Sequence, residues 1–408
     1  MFIYFTIDNH YMDEATFSKT VQNSESRKEA ASRFLHRRYL YAELAGAPKE
    51  YFIGICGLRG IGKSVLMLQI ASEKKDSLYL SADAAYLKGE DLYETIRFCS
   101  ARGYKNLFID EIHYAKDWQA ALKTAYDEGL TRVFFSGSSA LEIGKGADLS
   151  RRALVYRMKP LSFREHLEIK QGFPETAPVS AKELFDPKKR QRACLARAKA
   201  HAYLEDYFAN GGVAYPSGET AYFQKALENT MEKILQSDLA HIREIGAATI
   251  EDARRMLHFI ALSPAGEFSY SSLASKVSVS KPTVIRVLSD LEQLGLVQRV
   301  LPCGKSAVRK EPKLYLAFPF RSFFCNSCLA TPNIGALREE FFVNHAYPGT
   351  CYFQGSRGQK TPDFLLEGRS VEVGGAGKSA YQSPDFIMKQ GEEFTGKSIP
   401  LFLAGYLY

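Results

Sequence analysis

Gly57-Leu58-Arg59-Gly60-Ile61-Gly62-Lys63-Ser64 follows the spacing G-x-x-x-x-G-K-S, between an apolar run and an amphipathic stretch. Glycines so spaced let backbone N–H groups close around phosphate oxygens, and a helix beginning at Lys63 would add the positive end of its dipole. In that arrangement the Lys63 ammonium neutralises the β- and γ-phosphates, the Ser64 hydroxyl ligates Mg2+, and Val65 completes the lining. The spacing predicts a site for ATP and Mg2+.

A second chemical group follows. Leu107-Phe108-Ile109-Asp110-Glu111 is an apolar run ending in two acids. If the run is a strand, both carboxylates stand at the carboxyl edge of a parallel sheet, where ligands bind. There Asp110 would hold Mg2+, and Glu111 would orient or deprotonate the attacking water. Val133 to Ser139 is a further apolar run ending in hydroxyls. Ser136 and Ser138 are both candidates to sense the γ-phosphate, unless they merely end the strand. In Asp148-Leu149-Ser150-Arg151-Arg152, either arginine could stabilise charge on a transferring phosphoryl group, the alternative being a surface basic pair. His113 and Trp118 read as packing residues.

The elements that must position these groups are visible as alternation. Between residues 51 and 163 the strand-like runs YFIGIC, LYLSA, NLFID, RVFFSG and ALVYRM alternate with helices expected from near Lys63, Glu90 and Trp118. That pattern indicates an α/β core, a mostly parallel sheet with helices on both faces. Before it, an N-terminal helical segment occupies 1–46, with Ala30, Phe34, Leu35 and Tyr39 predicting a helix over 26–45. The core is expected over 47–165 and a helical lid or connector over 166–250, broken at FDPKKRQR and FANGGVAYPSGE. A winged helix-turn-helix is expected over 251–318 and a small α/β domain over 319–408.

Composition limits the alternatives. With 46% hydrophobic and 24% charged residues in 408, the chain is neither disordered nor fibrous. No apolar stretch approaches the ~20 residues of a membrane span, and MFIYFTIDNHYMDEATF lacks the basic start of a signal peptide. A cytoplasmic location is expected. Seven cysteines, with Cys56 and Cys99 in apolar runs, predict reduced thiols rather than a disulfide framework. Cys325 and Cys328 form a CxxC without a second pair nearby, so they read as core or surface thiols rather than zinc ligands.

The C-terminal half offers two further candidates. Ser280 to Leu294 would be a recognition helix presenting Lys281, Thr283 and Arg286, and Lys305, Arg309, Lys310 and Lys313 would lie on the wing. A formal charge of +7 is compatible with DNA as a partner. The alternative is a module that docks on the core or on a protein client. Farther on, Glu339 or Glu340, Pro362-Asp363 and Glu372-Val373-Gly374 resemble a PD-(D/E)xK nuclease frame with glycine where lysine is needed. Only Lys378 or Lys389 could supply the charge, so a noncatalytic domain is the preferred expectation.

These motifs together, GLRGIGKS, LFIDEIHYAKDW, FFSGSSALEI with DLSRRALVYRMKPLSFREHL, FANGGVAYP, and the late PDF and VEVG, resemble the AAA+ ATPases of the archaeal-ATPase-like group. The resemblance spans nearly the whole chain. It implies a P-loop NTPase sheet with the P-loop strand central and the acid-bearing strand its neighbour but one. It also favours Arg152 as the arginine finger. Relatives carry Leu-Ser-Gly-Arg-Ala there, so Arg151 replaces the glycine. A finger working in trans would need a homo-oligomer. The activity implied is Mg-dependent ATP hydrolysis driving a conformational switch that acts on DNA or a protein client. The rivals are a nucleic-acid-processing enzyme with a live nuclease domain and a noncatalytic nucleotide-dependent adaptor.

Overall fold

Five short apolar runs become one parallel sheet: β1 Phe52–Cys56, β2 Ser77–Ser81, β3 Asn106–Asp110, β4 Arg132–Gly137 and β5 Ala153–Arg157. The spatial order is β2-β3-β4-β1-β5 and every neighbouring pair is parallel. β1 and β2 are buried at every position, which suits the unbroken apolar run of β1 and the Leu-Tyr-Leu centre of β2. β5, at the rim, is buried only at Ala153 and then alternates between half-buried and exposed positions. Helices α3 Lys63–Glu73, α4 Leu92–Ala101 and α5 Trp118–Asp127 start where the alternation placed them. The computed structural model describes residues 12–137, 149–215, 220–242, 246–265, 269–304, 311–353, 361–378 and 383–408.

The N-terminal helix departs from expectation. α1 runs Glu14–Ala31, started by the Asp13 carboxylate accepting from Thr16 N, and only the short α2 Tyr41–Ala45 follows before β1. The small buried residues Thr20, Ser24 and Ala31 make its packed face, whereas Phe34 and Leu35 are 55% and 84% exposed. Apolar spacing over 26–45 was therefore misleading, because a good N-cap upstream and small residues decided the helix.

The chain divides into two compact units, Met1–Gly57 with Gly62–Met158, and Leu58–Ile61 with Lys159–Tyr408. Within the second, the helices Phe163–Gln171, Ala181–Phe185, Pro187–Ala196 and Leu204–Asn210 share one core with the C-terminal sheet. Phe163, Tyr207 and Phe341 meet edge to face at 5.5–5.7 Å, and the 1%-exposed Arg190 donates to the carbonyls of Phe394 and Gly396. The stretch expected as a connector is thus half core.

Next come the helix Thr220–Lys233, a π-helical turn Ile234–Asp238 and the short helix Leu239–Ile242. The helices Ala247–Leu262, Tyr270–Val277 and Lys281–Leu294 precede an antiparallel ribbon of β6 Val297–Val300 and β7 Lys313–Leu316. The last sheet, ordered β12-β11-β10-β9-β8, combines β8 Thr350–Tyr352, β9 Phe364–Leu366, β10 Arg369–Gly374, β11 Phe386–Lys389 and β12 Ser398–Pro400. Its neighbour is the helix Ile334–Ala346.

The expectation of reduced thiols fails at one place. Cys303 and Cys351 are disulfide-bonded, brought together where Cys303 N donates to Tyr352 O. Cys56, Cys99, Cys194 and Cys325 are buried free thiols and Cys328 is exposed. Among the described residues no helix is long and apolar enough to cross a membrane.

Candidate nucleotide and magnesium site

Sheet order decides where chemistry is possible. Since β4 separates β1 from β3, the loop leaving β1 and the acids ending β3 lie about two strand spacings, ~10 Å, apart on one edge. That span suits a metal-bound triphosphate.

On the loop side, Gly62 holds the left-handed N-cap of α3 at φ +94°, with no side-chain cap on the helix's first N–H groups. Those donors are the ones an anion takes up at a helix start. Lys63 is 7% exposed and its Nζ donates to Gly57 O at 3.0 Å, so the ammonium folds back over the loop. Ser64 and Val65 follow in the first turn, half-buried. Leu58 and Ile61 are buried and offer the loop only their backbone. Arg59, expected as part of the lining, turns its guanidinium to Asp238, with Nε 2.6 Å from Oδ2 and Nη2 2.7 Å from Oδ1.

On the acid side, Asp110 is 3% exposed and accepts from the Tyr79 hydroxyl at 2.6 Å and from the Ser136 hydroxyl. Burial, then the Asp110 charge, pushes the Tyr79 phenol well above its ordinary range, so it remains a donor. Ser136 also accepts from Glu111 N at 3.2 Å and is wholly buried. The Ser136 hydroxyl, expected to sense the γ-phosphate, donates to the Asp110 carboxylate. Ser138 and Asp148 lie outside the described residues.

Glu111 leaves β3 with a left-handed backbone, φ +50°, a conformation that costs a non-glycine residue of the order of 1–2 kcal/mol. Such strain is tolerated where a side chain must be aimed. Its Oε2 lies 3.5 Å from His113 Nδ1. Trp118 packs 6.0 Å from the Phe135 ring.

Arg152 stands elsewhere. Its guanidinium grips Asp127 at 2.6 and 2.9 Å, and its carbonyl accepts from Phe52 N, at the edge where β1 and β5 begin. The length of a five-residue strand, ~17 Å, separates that edge from the phosphate loop of the same chain. Arg151 is exposed at the same edge.

A cleft of about 820 Å3 opens nearby between the segments following β2 and β3, lined by Asp83, Lys88, Tyr114 and Lys116 among others, with no residue of the loop. The helix start at Lys63, which has no side-chain N-cap, lies outside that cleft. The residues fit a hard cation carried with a nucleotide, because Ser64 and Asp110 present oxygen donors. No trio of His, Cys, Asp or Glu among the described residues is grouped to enclose a metal without one.

The C-terminal acids also gather. Glu340 is bound by Arg321 through two contacts of 2.8 Å, leaving Glu339 as the acid that faces Asp363. Burial, then the Asp363 charge, raises Glu339 to about 7. Asp363 accepts from Val373 N at 2.9 Å, and Glu372 accepts from Asp363 N at 3.1 Å. Lys378 Nζ lies 2.7 Å from Glu372, its chain folded against Gly374, whereas Lys389 pairs with Glu393. Lys378, four residues after Gly374, thus brings an ammonium group to Glu372.

Residues 49–167 match the family described as an AAA domain, and residues 202–317 match a domain of unknown function (DUF8612). The α/β core over residues 49–167, with its five-stranded parallel sheet, is therefore similar to AAA domains. Uncharacterized protein MJ1637 of Methanocaldococcus jannaschii is 29% identical over 296 residues, covering 67% of this chain and 62% of that protein. Uncharacterized protein MJ1544 of the same organism is 28% identical over 166 residues, 39% of this chain and 34% of that protein. The chain thus spans less than two thirds of either relative. Among solved structures, AMPPCP-bound DnaA from Aquifex aeolicus aligns over 62% of this chain and 86% of its own at 13% identity and a TM-score of 0.25. Drosophila ORC bound to AT-rich DNA and Cdc6 aligns over 78% and 99% at 10% identity and 0.23.

Proposed function

We propose, taking the AAA domain at residues 49–167 as premise, that this protein binds MgATP on the Gly57–Ser64 loop and hydrolyses it to switch the conformation of its C-terminal half. The observation that carries the reading is the gathering of Lys63, Asp110 and Glu111 at one sheet edge. Loop N–H groups and Lys63 hold the phosphates, and Glu111 takes the proton of the attacking water. Ser64 and Asp110 would hold magnesium, which would neutralise phosphate charge when bound. Tyr79 and Ser136 are positioning residues, fixing the Asp110 carboxylate. The test is steady-state hydrolysis with and without duplex DNA, with Glu111→Gln as control. Stimulation by DNA supports a winged helix that contacts it. Tight ATP binding without turnover in either case would favour the adaptor reading.

DNA is the client we assign to Lys281–Leu294, whose exposed start carries Arg286, although Lys281 is drawn 2.6 Å from Glu311. Arg152, at the far edge of its own sheet, acts in a neighbouring subunit of a homo-oligomer. Arg152→Ala is then expected to bind ATP normally and hydrolyse it at least ~100-fold more slowly. Mixing it with Lys63→Ala, which retains the arginine but not the loop charge, should restore part of the turnover. A mixture as inactive as its components would remove the trans role.

One observation favours a second activity, the placement of Lys378 against Glu372. In this reading Glu339, Asp363 and Glu372, which do not enclose a metal by themselves, would share a divalent ion with the substrate phosphate for phosphodiester cleavage, and Lys378 would supply the charge. Because Glu339 ionises only near 7, cleavage should rise as pH is raised through that value. Asp363→Ala should abolish it. Absence of Mg-dependent cleavage of single- or double-stranded DNA at pH 8 would leave the domain noncatalytic.

A further inference from the structure

The spacing G-x-x-x-x-G-K-S leaves its second to fifth residues open, and Arg59 stands in that gap. A guanidinium beside a triphosphate would ordinarily turn to the phosphates. Here it meets Asp238 through two parallel bonds of 2.6 and 2.7 Å, with only 10% of the arginine side chain and 1% of the aspartate exposed. Two-pronged pairing of this kind fixes orientation as well as distance. A buried ion pair adds little net stability over an apolar one, but removing one partner strands a charge. Its value lies in specifying one arrangement of the two segments.

Asp238 closes the π-helical turn Ile234–Asp238, which is set between the helix Thr220–Lys233 and the helix Leu239–Ile242. Turns with that extra residue are uncommon and concentrate at functional sites. A second contact reaches the same stretch of loop. Gly60 O accepts from Ala214 N at 2.7 Å, and the Tyr215 ring fills the space a side chain at position 60 would need. Gly60 holds φ +79°, so glycine is required twice over. The Tyr215 hydroxyl is in turn 2.5 Å from Thr230 Oγ1, on the helix that leads into the π-turn. Leu58–Ile61 is accordingly counted with the second unit although the residues on either side of it are not.

We propose that the Arg59–Asp238 pair couples phosphate occupancy of the loop to the conformation of the helices around Ile234–Asp238. Arg59 is a positioning residue that acts through the loop backbone rather than by touching phosphate. The helices set the affinity of the loop for nucleoside triphosphate, and by reciprocity bound triphosphate stabilises the π-turn. This rests on the ATP reading above.

The experiment uses the full chain and combines MgATP titration with amide hydrogen exchange across 234–242, with and without saturating MgATP. In the wild type, nucleotide should slow exchange there at least ~5-fold. Arg59→Gln should weaken binding ~10-fold or more and, once saturated with nucleotide, show no slowing. Since Arg59→Gln strands a buried carboxylate, Asp238→Asn and the double variant provide the same comparison without one. The double variant should bind no more weakly than the weaker single variant, the mark of residues acting as a unit. Wild-type binding with unchanged affinity in both single variants, or full slowing of exchange in saturated Arg59→Gln, overturns the coupling alone. No MgATP binding by the wild type overturns the ATP reading and the coupling with it.

Discussion

With Lys63 replaced by alanine, MgATP binding is expected to disappear from a calorimetric titration that shows it in the wild type. Lys63 is 7% exposed and bonded to Gly57 O, so its ammonium is held over the loop in a poorly solvated position. A charge-assisted bond there contributes about 1.5–3 kcal/mol, and contact with two phosphates about doubles it. At about 1.4 kcal/mol per tenfold, the loss exceeds ~100-fold. Alanine is a strong helix former, so α3 should persist and the loss be local. An affinity equal to that of the wild type would reject the loop as the phosphate site.

The second large effect separates binding from chemistry. Glu111→Gln preserves shape and hydrogen-bonding capacity but cannot take a proton, and the turnover rate should fall by about 10²–10⁴. The dissociation constant for MgATP should stay within about threefold, because the residue contributes to the reaction rather than to the bound ground state. The left-handed backbone at Glu111, φ +50°, is the local strain expected if the end of β3 aims this side chain. A variant that turns over as fast as the wild type would transfer the role of base to another group.

The loop from β1 into α3, the two acids at the end of β3 and all five core strands were legible because each depends on a local pattern, either fixed spacing or a short buried apolar run. The order β2-β3-β4-β1-β5 was not. Alternation gives a parallel sheet without its sequence of neighbours; the family resemblance supplied only that β3 lies next but one to β1, and the central place it gave β1 belongs to β4. Tyr79 was invisible for that reason. A tyrosine in the run LYLSA is an ordinary strand residue until β2 is known to lie beside β3, where its hydroxyl meets Asp110.

Partners far apart in the chain were equally hidden. Arg59 and Asp238 are 179 residues apart, and nothing in the surroundings of either names the other. Lys378 was one of two lysines that composition allowed, and only the fold of the segment after β10 brought it rather than Lys389 to Glu372. Phe34 and Leu35 show the opposite error, in which correct helical spacing met a segment with no core to cover. Periodicity reports what a helix could bury, whereas packing decides whether it exists.

The covalent link between Cys303 and Cys351 encloses a sequence separation of 48 residues. Closing a ring of that size removes about 4 kcal/mol of freedom from the unfolded chain by the loop-entropy relation. A preparation kept in dithiothreitol and one kept in air are therefore two materials of unequal heat resistance, and a melting temperature for this polypeptide has meaning only alongside the thiol content of its buffer.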